Sequence, residues 1–129
     1  VLVDVYDVHL DAGPGAGDRK ARALQVDQLV EAIEKTSAGR ALVLGGDFNL
    51  TSAELPAFKK RMAALGITDA CDEARCAQPW RIDRVLLRGN PAVSLKTKTW
   101  RLAAGFRDGS GRALSDHEPV VVTVGWATK

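Results

Sequence analysis

Apolar and polar residues follow two different periods along the chain, and the switches between them mark out its elements. Residues 1–10 alternate: Val1, Val3, Val5 and His9 fall on one face, and Leu2, Tyr6, Val8 and Leu10 on the other. Apolar residues on both faces predict an interior strand. The Gly-rich stretch 11–17, which holds Pro14, breaks the pattern and reads as a loop. Asp18 is then the predicted N-cap of a helix whose apolar stripe is Leu24, Leu29, Val30 and Ile33 and which ends near Gly39. Leu42-Val43-Leu44 is a short buried strand running into Gly45 and Gly46. Thr51-Ser52-Ala53-Glu54 has the form of a capping box for a second helix, stopped at Gly66. Residues 82–88, 92–102 and 120–126 predict three more strands, the late neighbours antiparallel. Strand and helix alternate, so the class is α/β. No repeat, low-complexity tract or linker divides residues 1–129, which read as a single domain.

Composition narrows the picture only a little. Of the 129 residues, 46% are hydrophobic and 26% charged, enough apolar material for one core. A net charge of +2 neither demands nor excludes a polyanionic partner. No basic run interleaved with aromatics marks a nucleic-acid groove, and no stretch approaches the roughly 18 apolar residues of a membrane span.

The chemistry-bearing residues gather at the ends of the apolar runs. Val8-His9-Leu10, Gly45-Gly46-Asp47-Phe48-Asn49, Arg81-Ile82-Asp83-Arg84 and Ser115-Asp116-His117-Glu118-Pro119 each put a polar group where a strand starts or stops. The chain has two histidines, and both stand in such positions. Asp47 and Asn49, two apart, share a side if the chain stays extended. Against this stands the plainer reading of each motif alone: a turn-and-cap pair for Asp47 and Asn49, a buried Asp83 holding Arg81 or Arg84, a turn residue for Asp116.

Taken in order, "VHL", "GGDFN", "RIDRVL" and "SDHEPV" resemble the motifs of the endonuclease/exonuclease/phosphatase superfamily. The resemblance runs from the first strand to the last. It implies a DNase I-like α/β sandwich, of which this chain is the second, C-terminal half: a mixed, largely antiparallel sheet with flanking helices. The Asn and Glu motifs of the family's first half are not visible, and the chain has no initiating Met, so it reads as a piece of a longer protein. Members include deoxyribonucleases, abasic-site endonucleases, inositol phosphatases and neutral sphingomyelinases. Thr99-Trp100 before the "SDH" loop brings the chain weakly closer to the bacterial neutral sphingomyelinase-like branch.

The resemblance also implies an activity: hydrolysis of a phosphodiester by metal-assisted attack of an activated water on phosphorus. Carboxylates at strand ends suit a hard cation, Mg²⁺ or Mn²⁺. By similarity to the family, Asp47 positions or deprotonates the water, and Asn49 holds the water or a phosphoryl oxygen. His117 acts as base or charge stabiliser, Asp83 orients its ring, and His9 donates to a phosphoryl oxygen. Asp47, Asn49 and Asp116 are the expected metal-side residues. The expected substrate is a phospholipid or a nucleic acid. The activity is expected to need the absent N-terminal half, leaving this piece inactive alone; the alternative is a non-catalytic half-domain that binds a partner or self-associates to cover an exposed sheet face.

Outside these motifs, Cys71 and Cys76 sit five apart in a predicted loop and are either two free thiols or a small disulfide, the latter implying a secreted or otherwise oxidising location. Trp80, Trp100 and Trp126 read as packing residues, and Lys96, Lys98 and Arg101 as a solvated face.

Overall fold

Two strands and a helix begin the chain as a parallel crossover unit in the computed structural model, which describes residues 2–129. Strand β1 (Val3–His9) leads through helix α1 (Ala16–Thr36) to β2 (Ala41–Asp47), and β2 pairs with β1 in parallel. Helix α2 (Leu55–Ala64), the two-residue strand β3 (Thr68–Asp69) and the short helix α3 (Ala70–Ala74) follow. Strand β4 (Asp83–Arg88) then returns antiparallel to β2, giving a first sheet of order β1-β2-β4-β3. The antiparallel pair β5 (Val93–Leu102) and β6 (Val120–Thr128) forms a second sheet. This is the mixed, largely antiparallel α/β half-sandwich that the sequence predicts.

Alternation decides which side of the first sheet is core. Leu42, Leu44 and Leu86 point to the helices and pack with Val26, Leu29 and Ile33 of α1 and Phe58 and Met62 of α2. Phe48, just past β2, meets Phe58 with ring centroids 5.0 Å apart. The opposite face carries Val3, Val43 and Leu87 and turns towards β5 and β6. An open apolar groove of 490 Å³ is lined there by Val3, Val43, Val93, Leu95, Val124 and Trp126. Gly46 is required where β2 ends: its φ is +139°, and a Cβ would lie 1.9 Å from the Val8 carbonyl oxygen.

Several sequence expectations change. Strand β1 lies at a sheet edge, not in the interior, and Val5 is 76% exposed (Val1 falls outside the described residues). Asp18 is not the N-cap of α1. Gly15 takes that position, and Asp18 reaches back to accept the Gly15 N–H at 2.8 Å. In the stripe, Leu24 is exposed and Val26 is buried in its place. The capping box is half formed: the Glu54 carboxylate accepts the Thr51 N–H, while the Thr51 hydroxyl donates to Glu54 instead of capping the helix. Cys71 lies in α3, with Asp69 as its N-cap, and is disulfide-bonded to Cys76 with Cα atoms 4.9 Å apart. Trp80 and Trp126 are largely exposed, not packed. Among the described residues no helix is long and apolar enough to cross a membrane.

Candidate active site

One rung of the first sheet assembles the site. In the ladder His9 pairs with Asp47, and Asp47 pairs with Asp83. Because β1 and β2 run together and β4 runs back, the last residues of two strands meet the first residue of the third. All three positions share the alternation of Val43 and Leu87, so their side chains leave the sheet on the face towards β5 and β6. The motifs, scattered along the sequence, are thereby reduced to neighbours about one strand spacing apart, roughly 5 Å.

His117 arrives from the other sheet, on the 103–119 connection between β5 and β6. Its Nδ1 lies 2.9 and 3.0 Å from the two Asp83 carboxylate oxygens, and its Nε2 lies 3.9 Å from Asp47 Oδ2. His9 Nε2 approaches the same Asp47 oxygen at 3.6 Å. The other Asp47 oxygen, Oδ1, accepts the backbone N–H of Asn49 at 2.9 Å. Asn49 adopts a left-handed φ of 50°, which its short polar side chain tolerates, and donates its amide to the Leu10 carbonyl at 2.9 Å. Asp47 thus commits one oxygen to the backbone and presents the other to two imidazoles.

The electrostatics follow from these contacts. The hydrogen bond to Asp83 and the negative charge of that carboxylate hold His117 above the ordinary imidazole value of 6.5; partial burial opposes this, and Asp47 and Asp116 add to it. With Nδ1–H donated to Asp83, the neutral ring offers Nε2 as a proton acceptor on the Asp47 side, and the protonated ring offers it as a donor.

One donor atom from each of Asp47, Asp83 and His117 lies within 4.8 Å of the other two. Two carboxylates supply the oxygens a hard divalent cation prefers, and an imidazole nitrogen is a donor that Mn²⁺ also accepts. The residues present fit a divalent cation. Asp116 stands outside this group, exposed on the rim of a 320 Å³ cleft shared with Trp80, Arg81, Asp83, His117 and Glu118. The Asn49 amide is anchored on Leu10, beside the group.

Arg81 was legible only as a bland partner for Asp83, yet it fastens the site together. Its guanidinium lies 3.6 Å from Asp83, donates to the Glu118 carboxylate at 3.1 Å and donates to the Glu118 carbonyl at 2.8 Å. It therefore ties the loop that carries His117 to the start of β4. Period two places residue 81 beside residue 83, which is the signal that was available. Arg84, on the opposite face, pairs with buried Asp69.

The fold and this constellation define a class, and residues 4–117 match the family model described as the Endonuclease/Exonuclease/phosphatase family. The chain belongs to that family. It is 29% identical to the sphingomyelinases of Mycobacterium tuberculosis and Mycobacterium bovis over 136 residues, an overlap of 93% of this chain and 27% of theirs. Among solved structures, zebrafish TDP2 complexed with a single-strand DNA product superposes with a TM-score of 0.76 at 20% identity, covering 94% of this chain and 55% of that one. A mannosyl-6-phosphatase of Bacteroides thetaiotaomicron gives 0.69 at 19% identity, covering 94% and 50%. The chain therefore spans about a quarter of the length of its curated relatives and about half that of the solved ones.

Proposed function

We propose that the site serves metal-dependent hydrolysis of a phosphoester. The observation that carries this reading is His117, pinned by Asp83 through Nδ1 and turned through Nε2 towards Asp47. A divalent cation bound there would neutralise charge on phosphoryl oxygens and on the departing oxygen. The chain's own groups do the rest. Asp47 Oδ2 orients or deprotonates a water. His117 takes a proton at Nε2 or, when protonated, donates there to a phosphoryl oxygen, with Asp83 stabilising the imidazolium. His9, 75% exposed and beside Asp47, is free to donate to another phosphoryl oxygen. The water oxygen bonds to phosphorus, the phosphorus–oxygen bond to the leaving group breaks, and the leaving oxygen acquires a proton.

A phospholipid diester is the substrate supported by the relatives named sphingomyelinase. A nucleic acid is the alternative supported by the TDP2 likeness, which extends to the fold alone. Mg²⁺ and Mn²⁺ both suit the donor set. The disulfide supports an oxidising location.

For these 129 residues taken by themselves, a second reading has the more direct support: a folded half-domain that binds a partner or itself. Leu2, Val5 and Trp126 are 78%, 76% and 66% exposed, and the apolar groove opens between the sheets beside Val3 and Trp126. The test is a panel of sphingomyelin, plasmid DNA, an inositol phosphate and a chromogenic diester. It is run with and without Mg²⁺ or Mn²⁺, on the full-length protein and on this chain. Cation-dependent turnover by the full-length protein, lost in Asp47→Ala, supports the hydrolase; no turnover of any ester leaves the binding half-domain. Efficient turnover by the 129 residues alone would remove the need for a companion half.

A further inference from the structure

We infer that Arg22, paired with Glu54, is a positioning residue: it locks together the two loops that leave β1 and β2 and so holds His9, Asp47 and Asn49 in their mutual geometry. The inference rests on the reading of the site given above and extends it to a residue outside the cleft.

Arg22 is completely buried on α1, an unusual place for a guanidinium. Its hydrogen-bonding capacity is almost fully used. Nε donates to Glu54 Oε1 at 3.0 Å and Nη2 to Glu54 Oε2 at 2.8 Å, the forked geometry that only arginine provides. Nη1 donates to the carbonyls of Asp11 and Gly13 at 3.0 and 2.8 Å. With its donors so occupied, the side chain has no role as a ligand for anything else; it is a fastener.

What it fastens is specific. Asp11 and Gly13 belong to the loop that begins two residues after His9. Glu54 belongs to the turn that follows Asn49, and accepts both the N–H and the hydroxyl of Thr51. Between these loops lie the two bonds that knit the strand ends: the Leu10 N–H to the Asp47 carbonyl at 2.9 Å, and the Asn49 amide to the Leu10 carbonyl. His9 itself is exposed, so its place opposite Asp47 depends on where its backbone is held. Burying an ion pair is a poor route to stability, because the desolvation of both charges offsets most of their attraction. An apolar pair would fill the space between α1 and α2 as well. It would leave the Asp11 and Gly13 carbonyls and the Thr51 N–H without these partners.

The experiment compares wild type with Arg22→Lys, which keeps the charge but loses the fork, and with Glu54→Gln; Arg22→Met is added if it folds. Amide hydrogen exchange is followed at Leu10 and Asn49, with Leu42 and Leu44 as core references, and Mn²⁺ binding is measured on the same samples. The expected result for Arg22→Lys is faster exchange at Leu10 and Asn49 with the references unchanged, together with about tenfold weaker Mn²⁺ binding, the scale of losing an outer-shell partner. Equal loss of protection at all four amides would reduce Arg22 to general stability and overturn the inference. So would unchanged exchange at Leu10 and Asn49. Wild type that fails to bind Mn²⁺ sinks the cation site itself, while the exchange data still judge the fastener.

Discussion

His9 and Asp47 are partners on the last rung of the parallel β1–β2 ladder, with His9 Nε2 3.6 Å from Asp47 Oδ2. Asp47 in turn faces Asp83 across the antiparallel β2–β4 ladder. The spacing of three site residues is thus a property of strand register. A one-residue slip of either neighbour would turn its side chain to the helix side of the sheet. Loop conformation enters only with His117.

Asp83→Asn is expected to lower the His117 pKa towards 6.5, because the hydrogen bond and charge that raise it are weakened. Titration of the ring proton resonances checks this. A value that stays raised would mean that Asp47 and Asp116 hold the proton instead. In the full-length protein the same variant should lose about 10- to 100-fold in turnover, the scale of removing a group that orients a functional histidine.

A proton on His117 and a cation at the proposed site would oppose each other. His117 binds its proton more tightly than a free imidazole, so stability from the imidazolium is full below pH 6.5 and falls as pH rises through the folded-state value. A cation held by the Asp47 and Asp83 carboxylates beside the ring would have the opposite preference, since the imidazolium repels it. Mn²⁺ affinity measured by calorimetry should therefore rise from pH 6 to pH 8 (roughly, bracketing the imidazole range) and release protons at the lower end. Affinity independent of pH would place the ion away from His117.

Acid should act on Glu54. Burial by itself would raise this carboxyl, but the hydrogen bonds from Arg22 and Thr51 outweigh burial and hold it at about 2, below its ordinary 4.5. The stabilisation is present above pH 4.5 and is lost as pH falls towards 2. Glu54→Gln should flatten that part of the unfolding profile in denaturant titrations between those limits. An unchanged slope would show that Glu54 is not the group responsible.

Gly46→Ala should be destabilising even though it adds a single methyl group. The left-handed φ alone costs about 1–3 kcal/mol, and the Val8 carbonyl leaves no room for the Cβ. Thermal unfolding should show a drop of several degrees, roughly 4–8 °C per kcal/mol for a domain near this size. Gly17→Ala, where a Cβ meets nothing within 4 Å, is the control.

The site was more legible than its surroundings. Leu42-Val43-Leu44 announces β2 as an apolar run, and Asp47, Asp83 and His117 stand out because a polar group at the end of such a run needs a partner. What alternation cannot tell is what lies on the far side of a strand. Val3 and Val5 read as interior, yet Val5 is largely exposed, because burial depends on a layer that local sequence does not describe. Trp126 misled for the same reason. The two residues of β3 are too few to show a period, and the five of α3 lie in what reads as a loop around Cys71 and Cys76. Arg22 had no local signal at all: on α1 it looks like one more solvated charge among Arg19, Lys20 and Asp27, and only the carbonyls of the preceding loop and Glu54 make it internal.

Asp83 and His117 belong to different sheets, and the groove beside Val43, Leu95 and Trp126 is the seam between those sheets. Anything wedged into that seam alters the distance between the halves of the dyad, and anything that clamps the seam shut steadies it. A companion chain seated in that seam would bear on how far the ring of residue 117 stands from its carboxylate partner.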